Sequence, residues 1–242
     1  MKLAILLVVG VIANVYGDEP EPIVGGNMAY PGQFKHQVSI QEDGYHICGG
    51  SIISSTHILT AAHCISSPSI ADRLTVVTGT NKVIGDGELY KVKSVVVHPG
   101  FSMDHLRDDI AILTLEEPIP FNSRQNAIPL ASKDYADGIN RGMVSGWGKL
   151  GASSGTPLYL QYIDVTLMKP SECQKAHPET TSKQLCTNEV GQGVCMGDSG
   201  GPLIHNRELV GIVSWGIPCA VGQPDVYTNV YHYTPWIEKH TL

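Results

Sequence analysis

Charge is scarce in this chain. Asp, Glu, Lys and Arg make up 16% of its 242 residues, against roughly 25% in an average soluble protein. There is no block of Lys and Arg, so a nucleic-acid surface is not expected. The net charge of −7 speaks to solubility and names no partner. No Cys-x-x-Cys pair occurs, which removes a common zinc-ligand spacing. No Asn-x-Ser/Thr sequon occurs either, so N-glycosylation is not expected. The longest apolar run, residues 3–13, has 11 residues, short of the roughly 20 that span a bilayer. A membrane anchor is therefore the weaker reading. Long 3.6-residue periodicity is missing until the end of the chain, which excludes a coiled coil or a helical bundle. Wholesale disorder is excluded by the 42% of hydrophobic residues.

Turn-formers are plentiful, with 26 Gly and 15 Pro. They separate short β-type runs at residues 37–40, 74–77, 92–97, 110–115 and 209–215. This spacing predicts an all-β sandwich or barrel. Thr234-Pro235 gives an N-cap followed by Pro at the first helical turn, which predicts a short helix over 234–241 with Trp236, Ile237 and His240 on one face. The Pro-rich stretch 116–126 reads as the link between two β units of about a hundred residues each. At the front, Met1-Lys2, the apolar run and small Gly17 read as a secretory signal peptide over 1–17. Residues 18–22, Asp-Glu-Pro-Glu-Pro, are acidic and have nothing to bury, so they read as a pro-segment or linker. The six cysteines, Cys48, Cys64, Cys173, Cys186, Cys195 and Cys219, are an even set in a secreted chain. They imply three disulfides, with 15 pairings open from the sequence alone.

Three segments carry chemistry. In Gly197-Asp198-Ser199-Gly200-Gly201-Pro202, the glycines allow a sharp turn that exposes the Ser199 hydroxyl and points successive N–H groups at one spot. Taken alone it also reads as a Gly-rich turn. In Thr60-Ala61-Ala62-His63-Cys64, a histidine is held between small residues and a half-cystine, as a general base must be. Taken alone it also reads as a packed core histidine. Asp109 opens the apolar run Ile110-Ala111-Ile112-Leu113 and will be buried, so it wants a partner. Taken alone it also reads as a strand-start acid. Together the three occur in the order His, Asp, Ser, which differs from the orders of subtilisin and the α/β-hydrolases.

With these motifs, and with Ile23-Val24-Gly25-Gly26, Cys48-Gly49-Gly50-Ser51, Ser145-Gly146-Trp147-Gly148 and Val213-Ser214-Trp215-Gly216, the chain resembles the chymotrypsin-like serine proteases from Ile23 to about Lys239. The resemblance implies two antiparallel six-stranded Greek-key β-barrels, about 23–126 and 127–232, inside a protease domain over 23–242. It implies peptide-bond hydrolysis through an acyl-enzyme, with no cofactor and no metal. Ser199 would be the nucleophile, His63 the base and then the acid, and Asp109 the group that fixes the imidazole. Gly197 and Ser199 N–H groups would form the oxyanion hole. Ser214 would sit behind Asp109, and Ser214, Trp215 and Gly216 would pair with substrate backbone as an added strand. The implied disulfides are Cys48–Cys64, Cys173–Cys186 and Cys195–Cys219. The implied partners are protein or peptide substrates, an activating peptidase and protein protease inhibitors, for a secreted, extracellular monomer. Activity is expected to rise with pH as the free imidazole of His63 loses its proton, and to fall at high pH as the Ile23 amine loses its charge.

Two departures from the family matter. Trypsin-like members carry Asp six residues before the nucleophile and chymotrypsin-like members carry Ser; here the position is Gly193. Asp225 stands where both groups usually have Gly. This exchange, beside Val194 and Met196, resembles the brachyurin-type collagenolytic proteases and implies broad P1 specificity, for Phe, Tyr, Leu and Met as well as Arg and Lys. The alternative for Asp225 is a surface loop acid. The second departure is Pro22 where the family's activation site has Arg or Lys. The new Ile23 amine would still pair with Asp198, but its release fits an X-Pro dipeptidyl peptidase acting on Glu19-Pro20 and Glu21-Pro22, or a direct cut after Pro22. In the stretch 79–87 Thr80 replaces an expected calcium-ligand acid, and Asp86 and Glu88 read as a solvated turn, so no calcium requirement is expected. The rival functions are a strictly chymotrypsin-like endopeptidase, a catalytically silent homologue serving as a binding module, and a protease inhibitor.

Overall fold

The computed structural model describes residues 25–65, 67–137, 140–217 and 219–241. The proposed signal peptide, pro-segment and Ile23 lie outside them. Six strands close the first barrel: β2 (Gln37–Glu42), β3 (Tyr45–Ile52), β4 (His57–Thr60), β5 (Leu74–Thr78), β6 (Glu88–Val97) and β7 (Ala111–Leu115). They are hydrogen-bonded in the order β2-β3-β4-β7-β6-β5. Their inward positions are branched aliphatics, and Val38, Ile40, Ile52, Ile58, Leu59, Val76, Ile112 and Leu113 are fully buried. Such residues suit a pleated, close-packed interior, and each contributes roughly 1.5–3 kcal/mol by leaving water.

The second sheet has seven antiparallel strands: β1 (Asn27–Met28), β8 (Arg141–Gly146), β9 (Gln161–Thr166), β10 (Gln184–Thr187), β11 (Pro202–His205), β12 (Glu208–Trp215) and β13 (Asp225–Asn229). Their order is β1-β9-β8-β11-β12-β13-β10. The count is seven because β1, which precedes the first barrel in the chain, crosses over to pair Asn27 with Tyr162 and Met28 with Gln161. The terminal helix α2 spans Thr234–Thr241, with Ile237 buried. A further helix, α1 (Pro170–Ala176), has Pro in its first turn and buries only Cys173. One buried residue in seven leaves no apolar periodicity to read in the sequence.

The two units share a core. One cluster holds the first-barrel aliphatics together with Trp147, Leu160, Ile204, Leu209, Ile212 and Val230. Polar bonds cross the same seam: Ser145 Oγ donates to Gln37 Oε1 at 2.7 Å, and Trp147 Nε1 donates to the Asn81 carbonyl at 3.0 Å. A rigid seam is what lets residues from two sheets hold one geometry. Disulfides Cys48–Cys64, Cys173–Cys186 and Cys195–Cys219 are formed. Among the described residues no helix is long and apolar enough to cross a membrane.

Candidate active site

His63 lies on a single 3-10 turn, Ala62–Cys64, directly after β4. The turn is tied to β3 by the Cys48–Cys64 disulfide. Asp109 precedes β7, the neighbour of β4 in the barrel, so strand pairing alone brings the two together. The imidazole Nδ1 is 2.7 Å from Asp109 Oδ2, and the His63 backbone N–H donates to Asp109 Oδ1 at 2.9 Å. A carboxylate only accepts, so Nδ1 carries the hydrogen and Nε2 is left as the acceptor. Asp109 is completely buried and is also held from the second sheet. Ser214 Oγ donates to Oδ2 at 2.6 Å, and Thr228 Oγ1 donates to the Asp109 carbonyl at 2.7 Å.

The Ser214 contact depends on a strand irregularity. Val213 pairs with Tyr227 and Trp215 with Val226, so Ser214 is the extra residue of a bulge in β12. A bulge re-aims a side chain that regular pairing would send elsewhere.

Ser199 is carried by the loop between β10 and β11. That loop is laced to both sheets: Gly49 N–H donates to the Ser199 carbonyl at 2.8 Å, Gly200 N–H to the Val213 carbonyl at 2.8 Å, and Val213 N–H to the Gly201 carbonyl at 2.9 Å. Gly200 has φ +77°, and a Cβ there would lie 2.6 Å from the Gly49 carbonyl oxygen. Only glycine permits that approach, and the approach sets Ser199 on the wall that bears His63. Among the described residues Ser199 Oγ has no hydrogen-bond partner.

Gly197 has φ +102°. The peptide that follows it is fixed at both ends. Asp198 N–H donates to the Cys195 carbonyl at 3.0 Å, and the Gly197 carbonyl is 3.0 Å from His46 Nε2. His46 Nδ1 is in turn 2.8 Å from Ser39 Oγ. Burial lowers the His46 pKa, and the bond to Gly197 opposes that shift. A neutral ring with Nε2–H donating fits both contacts. No local pattern marks His46 in the sequence, since its partner is 151 residues away.

Asp198 is wholly buried and accepts from Gly148 N–H at 2.8 Å and Cys195 N–H at 3.0 Å. Burial pushes its pKa up to about 6, against those two bonds. No side-chain cation pairs with it among the described residues. Ile23, its expected partner, lies outside them.

Beside Ser199 is a cavity of about 140 Å³ lined by Val194, Cys195, Met196, Val213, Ser214, Trp215, Gly216 and Asp225. Gly193 stands behind it: a Cβ there would lie 2.8 Å from Asp225 Oδ2, and a Cβ on Gly216 would lie 2.9 Å from Oδ1. Asp225 is therefore a pocket-wall acid rather than a surface one, only 6% exposed. Among the described residues one donor meets it, Val194 N–H at 2.9 Å. Burial raises its pKa to about 7, with the nearby charge of Asp198 adding to the rise. No local pattern marks His177 either. His177 Nε2 is 3.0 Å from the Pro224 carbonyl, and its ring meets Trp215 edge-on at 4.8 Å, so it braces two neighbours of the pocket.

The raised Asp225 pKa has a consequence for stability. The folded chain binds a proton there that an unfolded chain has already lost between about pH 4 and pH 7. Stability from this group is present below pH 4 and is lost as pH rises to 7, up to ~4 kcal/mol in all. In an inert Ser199→Ala background, Asp225→Asn is expected to raise Tm by several degrees at pH 8 and by little at pH 4. Calorimetry at both pH values checks this, and an equal shift at both would contradict it.

The acids near 79–87 are occupied by protein donors. Thr80 Oγ1 donates to Asp86 Oδ1 at 2.7 Å, while Tyr90 OH and Gln125 Nε2 donate to Glu88 Oε2 at 2.8 and 2.9 Å. A grouping of Cys48, His63 and Cys64 has metal-like spacing, but the disulfide removes both thiolates.

This geometry of a buried acid, an oriented imidazole and a half-buried serine beside a pocket can be set against known proteins. The family model described as Trypsin matches residues 23–237. Trypsin-3 of Salmo salar is 39% identical over 230 residues, which is 92% of this chain and 94% of that one. Trypsin delta of Drosophila melanogaster is 39% identical over 221 residues, covering 89% and 87%. Chymotrypsin-2 of Vespa crabro is 34% identical over 221 residues, covering 91% and 100%. A match that runs through every motif above and nearly the whole length places the chain in the trypsin family of serine endopeptidases.

Proposed function

We propose that this endopeptidase is secreted, is made as a zymogen, and has broad P1 specificity, taking Arg and Lys as well as large apolar side chains. Ser199 attacks the scissile carbonyl, and His63 accepts its proton at Nε2 and returns it to the leaving amine. Asp109 holds the Nδ1–H tautomer and stabilises the imidazolium, and the Gly197 and Ser199 N–H groups receive the oxyanion. Ser214, Trp215 and Gly216 offer their backbone to the substrate as an added strand. Activation begins at Ile23 by removal of residues 18–22.

The observation that carries the specificity is the placement of Asp225, a buried carboxylate and the one ionisable side chain among the lining residues of this cavity. It supports attraction of Lys or Arg, in line with relatives named trypsin. Val194, Val213 and Met196 support apolar P1 residues, in line with a relative named chymotrypsin. Collagenolytic activity rests on the brachyurin likeness of this pocket alone. The three disulfides and the secretory pattern of residues 1–17 support an extracellular setting.

The test is a P1 cleavage profile of Asp225→Gly. Loss of a desolvated charge partner costs about 2–5 kcal/mol, so cleavage after Arg and Lys is expected to fall by about 10²-fold or more. Cleavage after Phe and Leu is expected to persist. An unchanged rate after Arg would remove Asp225 from the specificity and with it the broad reading.

A further inference from the structure

Asp225 differs from an ordinary specificity acid in how little holds its charge. It is 6% exposed, and one oxygen takes a single backbone N–H, from Val194. The other oxygen faces the Cα of Gly216. No Lys, Arg or hydroxyl donor reaches it among the described residues. Around it are Val194, Met196, Val213, Trp215 and the Cys195–Cys219 disulfide. The titratable groups on the packed elements do not supply a cation either. Asp198, on the nucleophile loop, is a second buried acid. Tyr227, next but one on β13, turns its hydroxyl to Thr187 Oγ1 at 3.0 Å. His177 is engaged with the Pro224 carbonyl. Glu189, on the turn after β10, is another acid. A buried carboxylate in such a site is costly when ionised unless a cation meets it.

We propose that the protonation state of Asp225 selects the P1 class: the neutral carboxyl admits apolar side chains, the carboxylate admits Lys or Arg, and the preference moves from apolar to basic as pH rises. This rests on the reading of Asp225 as a P1 contact. Below the carboxyl's midpoint a basic side chain can enter only by displacing the proton, so its kcat/KM falls about tenfold per pH unit relative to an apolar substrate. Above the midpoint an apolar side chain must cover an ionised acid, which moves the ratio the same way. Burial sets that midpoint at about 7, within the range where the enzyme can be assayed.

The measurement is the ratio of kcat/KM for two peptides differing only in P1, Arg against Phe, from pH 5.5 to 8.5. Both substrates use the same His63 and the same N-terminus, so those titrations cancel. The ratio is expected to rise at least about 30-fold across this range in the wild type, from the Arg rate alone, and toward about 10³-fold where the Phe rate falls with the neutral fraction; it is expected to stay flat in Asp225→Asn. A flat wild-type ratio, with Arg cleavage still lost in Asp225→Gly, would overturn the proposal and leave the P1 reading standing. Equal Arg cleavage in wild type and Asp225→Gly would instead overturn the P1 reading. A ratio that still climbs in Asp225→Asn would place the switch on another group and overturn the proposal too. A second measurement needs no variant. Benzamidine is a fixed cation, so its binding to the wild type is expected to release close to one proton at pH 6 and almost none at pH 8.5. Titration calorimetry in buffers of different ionisation enthalpy reads that number, and release that does not change with pH would count against the switch.

Discussion

Asp109→Asn is expected to lower kcat/KM on a peptide substrate by about 10⁴-fold near neutral pH, and Ser199→Ala by about 10⁶-fold. The first loss follows from donors and acceptors. Asp109 accepts from His63 Nδ1, from His63 N–H and from Ser214 Oγ. An asparagine has one acceptor oxygen and one donor group. With the oxygen kept at the Oδ1 site by the His63 backbone N–H, the amide nitrogen takes the Oδ2 site, donates to Nδ1, and turns Ser214 Oγ from donor to acceptor. Nδ1 then becomes an acceptor, and the ring hydrogen moves to Nε2, the atom that must take the proton of Ser199. The variant keeps its shape and loses its base. In Ser199→Ala no acyl-enzyme can form, and what remains is binding and the N–H groups of the oxyanion site. Steady-state rates with a fluorogenic peptide measure both losses. Fluorophosphonate labelling distinguishes an active serine from a binding module. Labelling of Ser199→Ala at the wild-type level, or an Asp109→Asn rate within tenfold of wild type, would remove these residues from their roles.

The parts of this site that were legible in the sequence are those written into short segments. His63, Asp109 and Ser199 each sit in a local motif, and strand pairing or the nucleophile loop delivers them to the same seam. The short β-type runs were legible for the same reason: residues 74–77 and 209–215 are largely apolar and bounded by turns, and they fall in strands β5 and β12. What was illegible depends on distance or on departures from regularity. His46 meets Gly197 across 151 residues. Ser214 reaches Asp109 through a bulge, which adds no distinctive residue to the text. Asp225 could be suspected from its position in the family pattern, but its isolation from any cation is a property of the packed pocket. The β1 pairing that makes the second sheet seven-stranded rests on two residues, Asn27 and Met28, too few to show alternation.

A chain that begins at Ile23 is expected to be about 10²–10³-fold more active than the same chain with residues 18–22 in place. The argument starts from Asp198. Its carboxyl is fully buried, its pKa is pushed up to about 6 by that burial, and its donors are two backbone N–H groups. It stands between Gly197 and Ser199, so its position would set both of the proposed oxyanion donors. Leaving a buried charge unpaired costs about 3–5 kcal/mol, which at 1.4 kcal/mol per decade is at least about two powers of ten in the population of the competent loop. The chain enters the described region at Gly25, whose carbonyl accepts from Gln192 Nε2 at 2.6 Å. That bond anchors the segment just downstream of Ile23 to the turn that leads into the Asp198 loop. Under the proposed activation, a free α-amino group at Ile23 would supply the missing cation, and an amide at the same position could not. Asp198→Asn in the processed chain is expected to lose activity to a similar extent, since the amide offers no charge for the amine. Activity of the processed form is also expected to fall as the amine deprotonates at alkaline pH, whereas Asp198→Asn shows no such fall. N-terminal sequencing paired with active-site titration decides the matter. Full activity in material that starts anywhere other than Ile23 would mean that Asp198 finds its compensation elsewhere, and the Pro22-Ile23 bond would lose its place as the switch.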